Sequence, residues 1–456
     1  MTTLVIGVVL AGFVVSLPYW LPALIVAARV RIFAALNGAE GITIPGSTVD
    51  AAYFKRVYAD PAAGGRSRGA GLSDLFWYWL SPGAHLHQEH LESGERYRDV
   101  ARTTRRILAR QPHVTEQLAA RCAARRLDQL EPASVRMVRL RDLMMPIWAD
   151  FYYELVFNET CEPLARKLIV DNANDVATAL KCCGLRHMAR RGRLTAYLID
   201  KLERDGIPYQ LPDWLTVEEK ALYLQGTFFN TAVVQSSEAM AHLLLALAQH
   251  QDVQARLAAE PADDGYLDRV MDEALRMYPL FGIAHRITTD EITVEDAVLP
   301  AGSVLLFNYQ DYHRTGFAAA DRFDPDRWLE LSTRDAHHIP FGVAANRPCP
   351  AQGLAPITMR IIAREVVRRY ALFSSAAHTR SMPNRGPCLL VLRSDPPPVL
   401  IRWGLLAWMR VRDRWEDVWR SVVQLVLGSY MVWHARRLRL CQRYFEEQQP
   451  EGVRTT

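Results

Sequence analysis

Lysine is nearly absent from this 456-residue chain. It occurs only at Lys55, Lys167, Lys181, Lys201 and Lys220, so arginine supplies the rest of the 54 basic residues. With the abundant alanine, this reads as the coding bias of a GC-rich bacterial genome and says nothing of function. A formal net charge of +4 lacks the basic excess of a nucleic-acid binder. Cysteine is sparse as well: Cys122, Cys161, Cys182, Cys183, Cys349, Cys388 and Cys441. The number is odd, no Cys-x-x-Cys pair occurs and no metal-type spacing appears. These absences exclude a disulfide framework and leave the expectation of a reducing compartment with one functional thiolate. Flavin and iron–sulfur motifs, internal repeats and low-complexity tracts are also missing.

Charge is missing from the N-terminal region up to Arg29. Residues 4–30 are apolar over a length that spans a bilayer core. Pro18 and Pro22 kink this run, and Tyr19-Trp20 suit a membrane interface. The run is long for a secretory signal and lacks its basic start. Arg29 and Arg31 follow it, which by the positive-inside rule places the body in the cytoplasm. Residues 43–80 read as loops with short strands. Helices are expected from 87 to 111, 140 to 158 and 161 to 204, broken by Asp205-Gly206-Ile207-Pro208. Thr216 and Glu219 form a capping box that starts a long apolar helix ending near Ala248. A last segment, 403–445, mixes Trp408, Trp415, Trp419 and Trp433 with arginine and suits a membrane interface or the flank of the body.

What is present and chemically informative lies between these ends. Glu273-Ala274-Leu275-Arg276 puts an acid and a base on one helix face. Leu299-Pro300-Ala301-Gly302 leads into an apolar run and His313-Arg314. Phe323-Asp324-Pro325-Asp326-Arg327-Trp328 is a proline turn carrying another arginine. The loop from Pro340 to Ala351 opens with Phe341-Gly342, places Arg347 two before Cys349 and ends in small residues. Small residues let backbone N–H groups approach a sulfur. A lone cysteine is more often a small buried hydrophobe, but the ordered set changes that balance.

Together these residues resemble the cytochrome P450 family over about 215–392. The resemblance implies a mainly α fold with a small β region, here preceded by a transmembrane helix. It implies haem b as cofactor and Cys349 as the iron ligand, since a thiolate pushes electron density onto haem iron. Glu273, Arg276 and Arg327 become a buried polar triad, and Phe341 opens the ligand loop. Arg347 and Arg286 become propionate partners, with Arg98 and Arg102, four apart, as a further basic pair. Phe228, Phe229 and residues 280–283 are candidate pocket walls. The implied organisation is an anchor over 1–31, a haem-thiolate body over 32–398 and a C-terminal helical extension over 399–456.

One departure bears on chemistry. In the family register the oxygen-activation positions fall on Thr231, Ala232, Val234 and Gln235. Val234 replaces the acid and Gln235 the alcohol, with Ser236 and Ser237 next. Val234 cannot donate a proton, and Gln235 is no acid. Ser236 is the nearest substitute by sequence. A rival match, Gly226-Thr227, lies more than a turn too early. The Cys349 loop also carries one extra residue and has Ala345 where glycine is usual. The leading reading is a membrane-associated enzyme with a single N-terminal span that oxidises a hydrophobic natural-product or lipid-like substrate. Electrons would come from a separate ferredoxin or flavin reductase. Loss of both relay groups leans toward a route that bypasses ordinary proton delivery. A redox-neutral or peroxide-using haem enzyme (dehydratase, isomerase or nitrene-type transferase) is the alternative, and a haem-retaining scaffold is a third.

Overall fold

The apolar run after Thr216 forms the helix around which the body is built. Its capping box is in place: the Glu219 N–H donates to Thr216 Oγ1 at 3.2 Å, and the Thr216 N–H donates to the Glu219 carboxylate at 2.9 Å. The helix runs as Val217–Leu224, a widened π segment Gln225–Ala232, and Val233–Gln249. Such π segments inside α-helices accompany functional sites. This central helix packs against the helices Leu140–Phe157, Asp264–Met277 and Ala355–Arg369. Leu243, Leu244, Leu245, Ala246 and Leu247 are fully buried, so the helix is apolar all round because it is core. This computed structural model describes residues 2–37, 41–130, 133–261 and 263–448.

The β structure is small. Strands β1 (Ile42–Ile44), β2 (Val135–Arg139), β3 (Ile283–Ile287), β4 (Ile292–Val294), β5 (Ala297–Leu299), β6 (Val304–Asn308), β7 (Tyr370–Phe373) and β8 (Pro387–Leu392) form three sheets. Their orders are β1-β6-β3, β2-β8-β7 and β4-β5, with β1 parallel to β6 and the other pairs antiparallel. The region read as loops and short strands, 43–80, is more helical than that, with helices at Phe54–Ala59 and Gly71–Leu80. The reason is tertiary. Leu75, Trp77 and Tyr78 are buried, and Asp74 accepts from the backbone N–H groups of Cys441 and Gln442 at 2.9 and 3.3 Å.

The N-terminal helix Thr2–Asn37 is not freestanding. It lies along a 40-residue C-terminal helix, Val399–Leu438. Arg414 sits 4.6 Å over the Tyr19 ring, and Gly428 meets Phe33 the same distance further along both chains, so the two helices run parallel. A β-carbon at Gly428 would stand 2.9 Å from Phe33 and 3.1 Å from Cys182, so glycine is what lets the helices close on the body. The C-terminal helix is further tied down by Arg139, which pairs with Asp413 at 3.3 Å and with Glu416. Residues 449–456 of the C-terminal segment, and Met1 of the N-terminal one, lie outside the described residues.

The Glu/Arg helix and the proline turn meet as expected. Arg276 forks onto Glu273 at 2.8 and 2.9 Å, and Arg327 Nε donates to Glu273 Oε1 at 3.0 Å. The Asp324 N–H and the Trp328 indole add bonds of 2.9 and 3.1 Å. Glu273 is 0% exposed. Removing it strands buried guanidinium groups, at a cost of roughly 3–5 kcal/mol. Glu273→Ala should therefore expose this segment to early proteolysis and lower the melting temperature. A variant that melts with the parent would show that the network contributes nothing to stability.

Candidate functional site

The Cys349 loop closes on itself before it meets anything else. The Cys349 N–H donates to the Phe341 carbonyl at 2.8 Å, which brings the two ends of the 341–349 stretch together. Gly342 turns with φ of 77°, a conformation that favours glycine, with the Tyr58 hydroxyl 3.4 Å from where a β-carbon would be. Asn346 fastens the loop to the β1 region. Its amide donates to the Tyr58 carbonyl at 2.8 Å, and its oxygen accepts from Arg66 at 3.0 Å. Burial pushes the Cys349 thiol up to about 11, while a hydrogen bond from the Ala351 N–H pulls the other way. A metal cation at the sulfur would settle that contest, since a coordinating thiol is deprotonated outright.

Basic groups surround the space beside this loop. Arg347 donates to the Leu91 carbonyl at 2.6 Å and to Ser93 at 3.0 Å, and stacks 3.7 Å over Tyr97. Arg286, on β3, donates to the Tyr58 hydroxyl at 2.7 Å and keeps an unpartnered, buried Nε. Arg66 is 1% exposed, with Nε and Nη1 both unpartnered. Buried guanidinium N–H groups without partners are costly. They are the donors that a group carrying carboxylates would fill, and an arginine fork suits a carboxylate.

The sequence reading took 87–111 as one helix, but the helix spans Glu95–Leu108, and the largely non-helical stretch 81–94 before it borders this space. Its Glu92 carboxylate accepts from the N–H groups of Arg66, Ser67 and Arg68 at 3.2, 2.8 and 2.8 Å, locking the loop to the segment that carries Arg66. The same loop delivers His87 and Glu89. Glu89 stands 3.8 Å from Arg286, and burial raises its carboxyl above the ordinary range, against the pull of His87 and Arg347. His87 Nε2 meets Thr231 Oγ1 of the central helix at 2.8 Å. The density of titratable residues in His85, His87, Glu89, His90 and Glu92 was the available signal.

Other expected residues fall elsewhere. Arg98 and Arg102 are exposed, and Arg102 pairs with Asp99 at 3.3 Å. Their helix, Glu95–Leu108, buries Val100, Ala101, Thr104, Ile107 and Leu108, so both arginines point to solvent and Tyr97 takes the inward place. Phe228 and Phe229 are fully buried core: Phe228 lies edge-on to Tyr223, and Phe229 stacks on Phe157. Ser236 is engaged by the Tyr152 hydroxyl at 3.0 Å. Phe281 and Ile283 retain about half their exposure and are open, as a wall would be. The widened turn begins at Gln225, so it takes in Gly226-Thr227 as well as Thr231 and Ala232. Val234 is buried, and Gln235 is partly open.

A cysteine loop tied down by Asn346 and Arg347, unfilled donors on Arg66 and Arg286, and a buried Glu–Arg–Arg network together suit a haem-thiolate protein. Comparison with known proteins gives the family. The cytochrome P450 sequence profile matches residues 195–401. Cytochrome P450 135B1 of Mycobacterium tuberculosis is 32% identical over 146 residues, covering 30% of this chain and 31% of that protein. The cyclooctat-9-en-7-ol 5-monooxygenase of Streptomyces melanosporofaciens is 27% identical over 165 residues, covering 32% and 36%. The matched stretch is about a third of the length of these relatives. Among solved structures, CYP175A1 of Thermus thermophilus aligns with TM-score 0.57 at 17% identity over 73% of this chain and 87% of that one. A zebrafish cytochrome P450 with abiraterone aligns with TM-score 0.61 at 14% identity over 77% and 94%. Residues 195–401 are thus similar to the cytochrome P450 family in sequence, and the fold is that of the family's solved structures.

The family's cofactor is haem b, and the residues present fit it. Cys349 would supply the sulfur. Arg347, Arg286 and Arg66 would hold the propionates, with the unpartnered N–H groups of Arg286 and Arg66 as the evidence. Cys349→Ala should abolish the red-shifted Soret band of the reduced, CO-treated protein. A band that survives the substitution would place the iron ligand elsewhere.

Proposed function

We propose that this protein is a haem-thiolate monooxygenase acting on a hydrophobic small molecule. The observation that carries this reading is the Cys349 sulfur, which accepts the Ala351 N–H in a loop that Asn346 ties to Arg66, whose guanidinium keeps unpartnered N–H groups. When bound, haem supplies the redox centre for dioxygen chemistry. The chain supplies the rest. Arg347, Arg286 and Arg66 fix the cofactor's acidic edge. Ala232, with Phe281 and Ile283, would give the site apolar walls that select a lipophilic substrate. Electrons come from a separate ferredoxin or flavin reductase. That a Streptomyces relative is named a monooxygenase supports the reaction class. An intact ligand loop and Glu273 network favour an enzyme over a scaffold.

The proposed organisation keeps the body at 32–398 between an N-terminal anchor and a C-terminal helical segment, with the body on the cytoplasmic side in a bacterial cell. The window Leu4–Ala35 is apolar enough to span a bilayer, and most of its residues are exposed. Its packing partner is the C-terminal helix, where Leu400, Trp403, Trp408 and Trp419 are 85%, 64%, 61% and 69% exposed. Arg402, Arg410 and Arg412 lie on the same helix, and charges at the bilayer centre are expensive. The helix pair therefore suits the interface plane, with tryptophan at headgroup depth.

Two outcomes test these readings. With a surrogate reductase, NADPH and labelled dioxygen, one labelled oxygen atom should enter the product. Label-free product under the same conditions would move the protein to redox-neutral chemistry. For the membrane, Trp403→Ala, Trp408→Ala and Trp419→Ala combined should weaken sedimentation with anionic vesicles while the CO-difference spectrum stays intact. Unchanged sedimentation would remove the C-terminal helix from the membrane contact.

A further inference from the structure

We propose that the C-terminal helix Leu440–Glu447 is part of the cofactor site: it clamps the segment that carries Arg66, and Asp74 is the positioning residue that holds the clamp in place. This rests on the haem-thiolate reading above. The family profile covers residues 195–401, so this helix lies beyond the resemblance. Its start is incomplete by itself. Arg439, at the N-terminal boundary, has φ of 50° and gives no side-chain cap. The first N–H groups of a helix need acceptors from outside it. Asp74, on the helix Gly71–Leu80, supplies one: its Oδ1 accepts from the Cys441 and Gln442 N–H groups at 2.9 and 3.3 Å. A carboxylate also suits the positive end of a helix. Tyr444 and Phe445 then lie against Trp77, with ring centroids at 5.1 and 6.1 Å, and Tyr444 lies 5.2 Å from His85.

The clamp reaches the site through Ser67. The Cys441 thiol donates to the Ser67 carbonyl at 3.4 Å, and the Trp77 indole donates to Ser67 Oγ at 3.2 Å. Ser67 Oγ in turn donates to the His90 carbonyl at 2.9 Å, and the Ser67 N–H donates to Glu92 at 2.8 Å. Every polar atom of this buried serine is engaged, so its backbone has little freedom left. Arg66 is the residue just before it. The Arg66 Nη2 donates to Asn346 of the Cys349 loop at 3.0 Å, while Nε and Nη1 stay unpartnered. A bonded path therefore runs from the C-terminal helix through Ser67 and Arg66 to the ligand loop. A guanidinium on a fixed backbone loses little freedom when it meets a carboxylate, and one on a loose segment loses more. The clamp thus strengthens the hold of Arg66 on the cofactor's acidic edge.

The test follows haem leaving the full-length, haem-loaded protein for an excess of apomyoglobin. Asp74→Ala should speed the loss about tenfold, the effect of one bond to a charged group. Asp74→Asn keeps an oxygen for the Cys441 N–H and should stay near the parent rate. Tyr444→Ala loosens the clamp without touching the carboxylate and should also speed the loss, which keeps the test open if Asp74→Ala does not fold. Arg66→Gln should speed it as well. Asp74→Ala combined with Arg66→Gln should be no faster than Arg66→Gln alone, since Asp74 acts through Arg66. Trp419→Ala, on the long C-terminal helix, should leave the rate unchanged. Hydrogen exchange at the Ser67 and Arg68 amides, read in the same proteins, should quicken in Asp74→Ala and Tyr444→Ala. Parent rates of haem loss and of exchange in both variants would overturn the clamp. A double variant that adds the full Asp74→Ala factor to that of Arg66→Gln would overturn the positioning role. A parent without the red-shifted Soret band would sink the haem-thiolate reading itself, and the exchange rates would then decide the clamp alone.

Discussion

A carboxylate removed wholly from water survives only if its oxygens are filled, and Glu273 is the point where this chain meets that condition. Two guanidinium groups, a backbone N–H and an indole converge on it at 2.8–3.1 Å. They come from the Asp264–Met277 helix and from the proline turn some fifty residues further on. The carboxylate therefore decides where the segment before the Cys349 loop can lie. His313 continues the same constraint: its Nε2 accepts the Ile339 N–H at 3.0 Å, close to the start of that loop. The sulfur is placed by polar bonds made well away from it, which is why a short, extra-residue loop can still be ordered.

The second half of the site depends on a different carboxylate. Glu92 gathers three consecutive N–H groups and so joins two segments that lie outside the sheets and α-helices. Through it Arg66, His87 and Glu89 arrive in one place. The cavity is thus assembled from a rigid side, the central helix and β3, and a side built from loops. Loops carry function when a scaffold holds them, and here the holding is done by one acid and by Asn346.

Much of the fold was legible because its signals are local. The capping box at Thr216 and Glu219, the apolar run that follows, and the Glu/Arg spacing at 273 and 276 need no tertiary knowledge. The ligand loop was legible through its order relative to those motifs. Arg98 and Arg102 were misplaced because a spacing of four says that two side chains share a face, not which face is inside. The apolar set Val100, Ala101, Thr104 and Ile107 held that information and pointed to Tyr97. Ser236 was chosen by adjacency, yet neighbours on a helix are about 100° apart, and Tyr152 claims that direction. The places of Arg66 and His87 were illegible in principle, since each depends on the packing of two segments distant in sequence.

The parallel seating of Thr2–Asn37 on Val399–Leu438 has a consequence for how the chain is made. Tyr19 and Arg414 are partners in space, yet about 400 residues of synthesis separate them, which at about 5–20 residues per second is tens of seconds. Throughout that interval a strongly apolar helix exists without the surface that will cover one of its sides. It has to be sheltered by something other than its own protein, and a bilayer is the shelter its composition fits. On the proposed membrane reading, translation order would give the lipid first claim on the helix, and the finished body would then dock onto it.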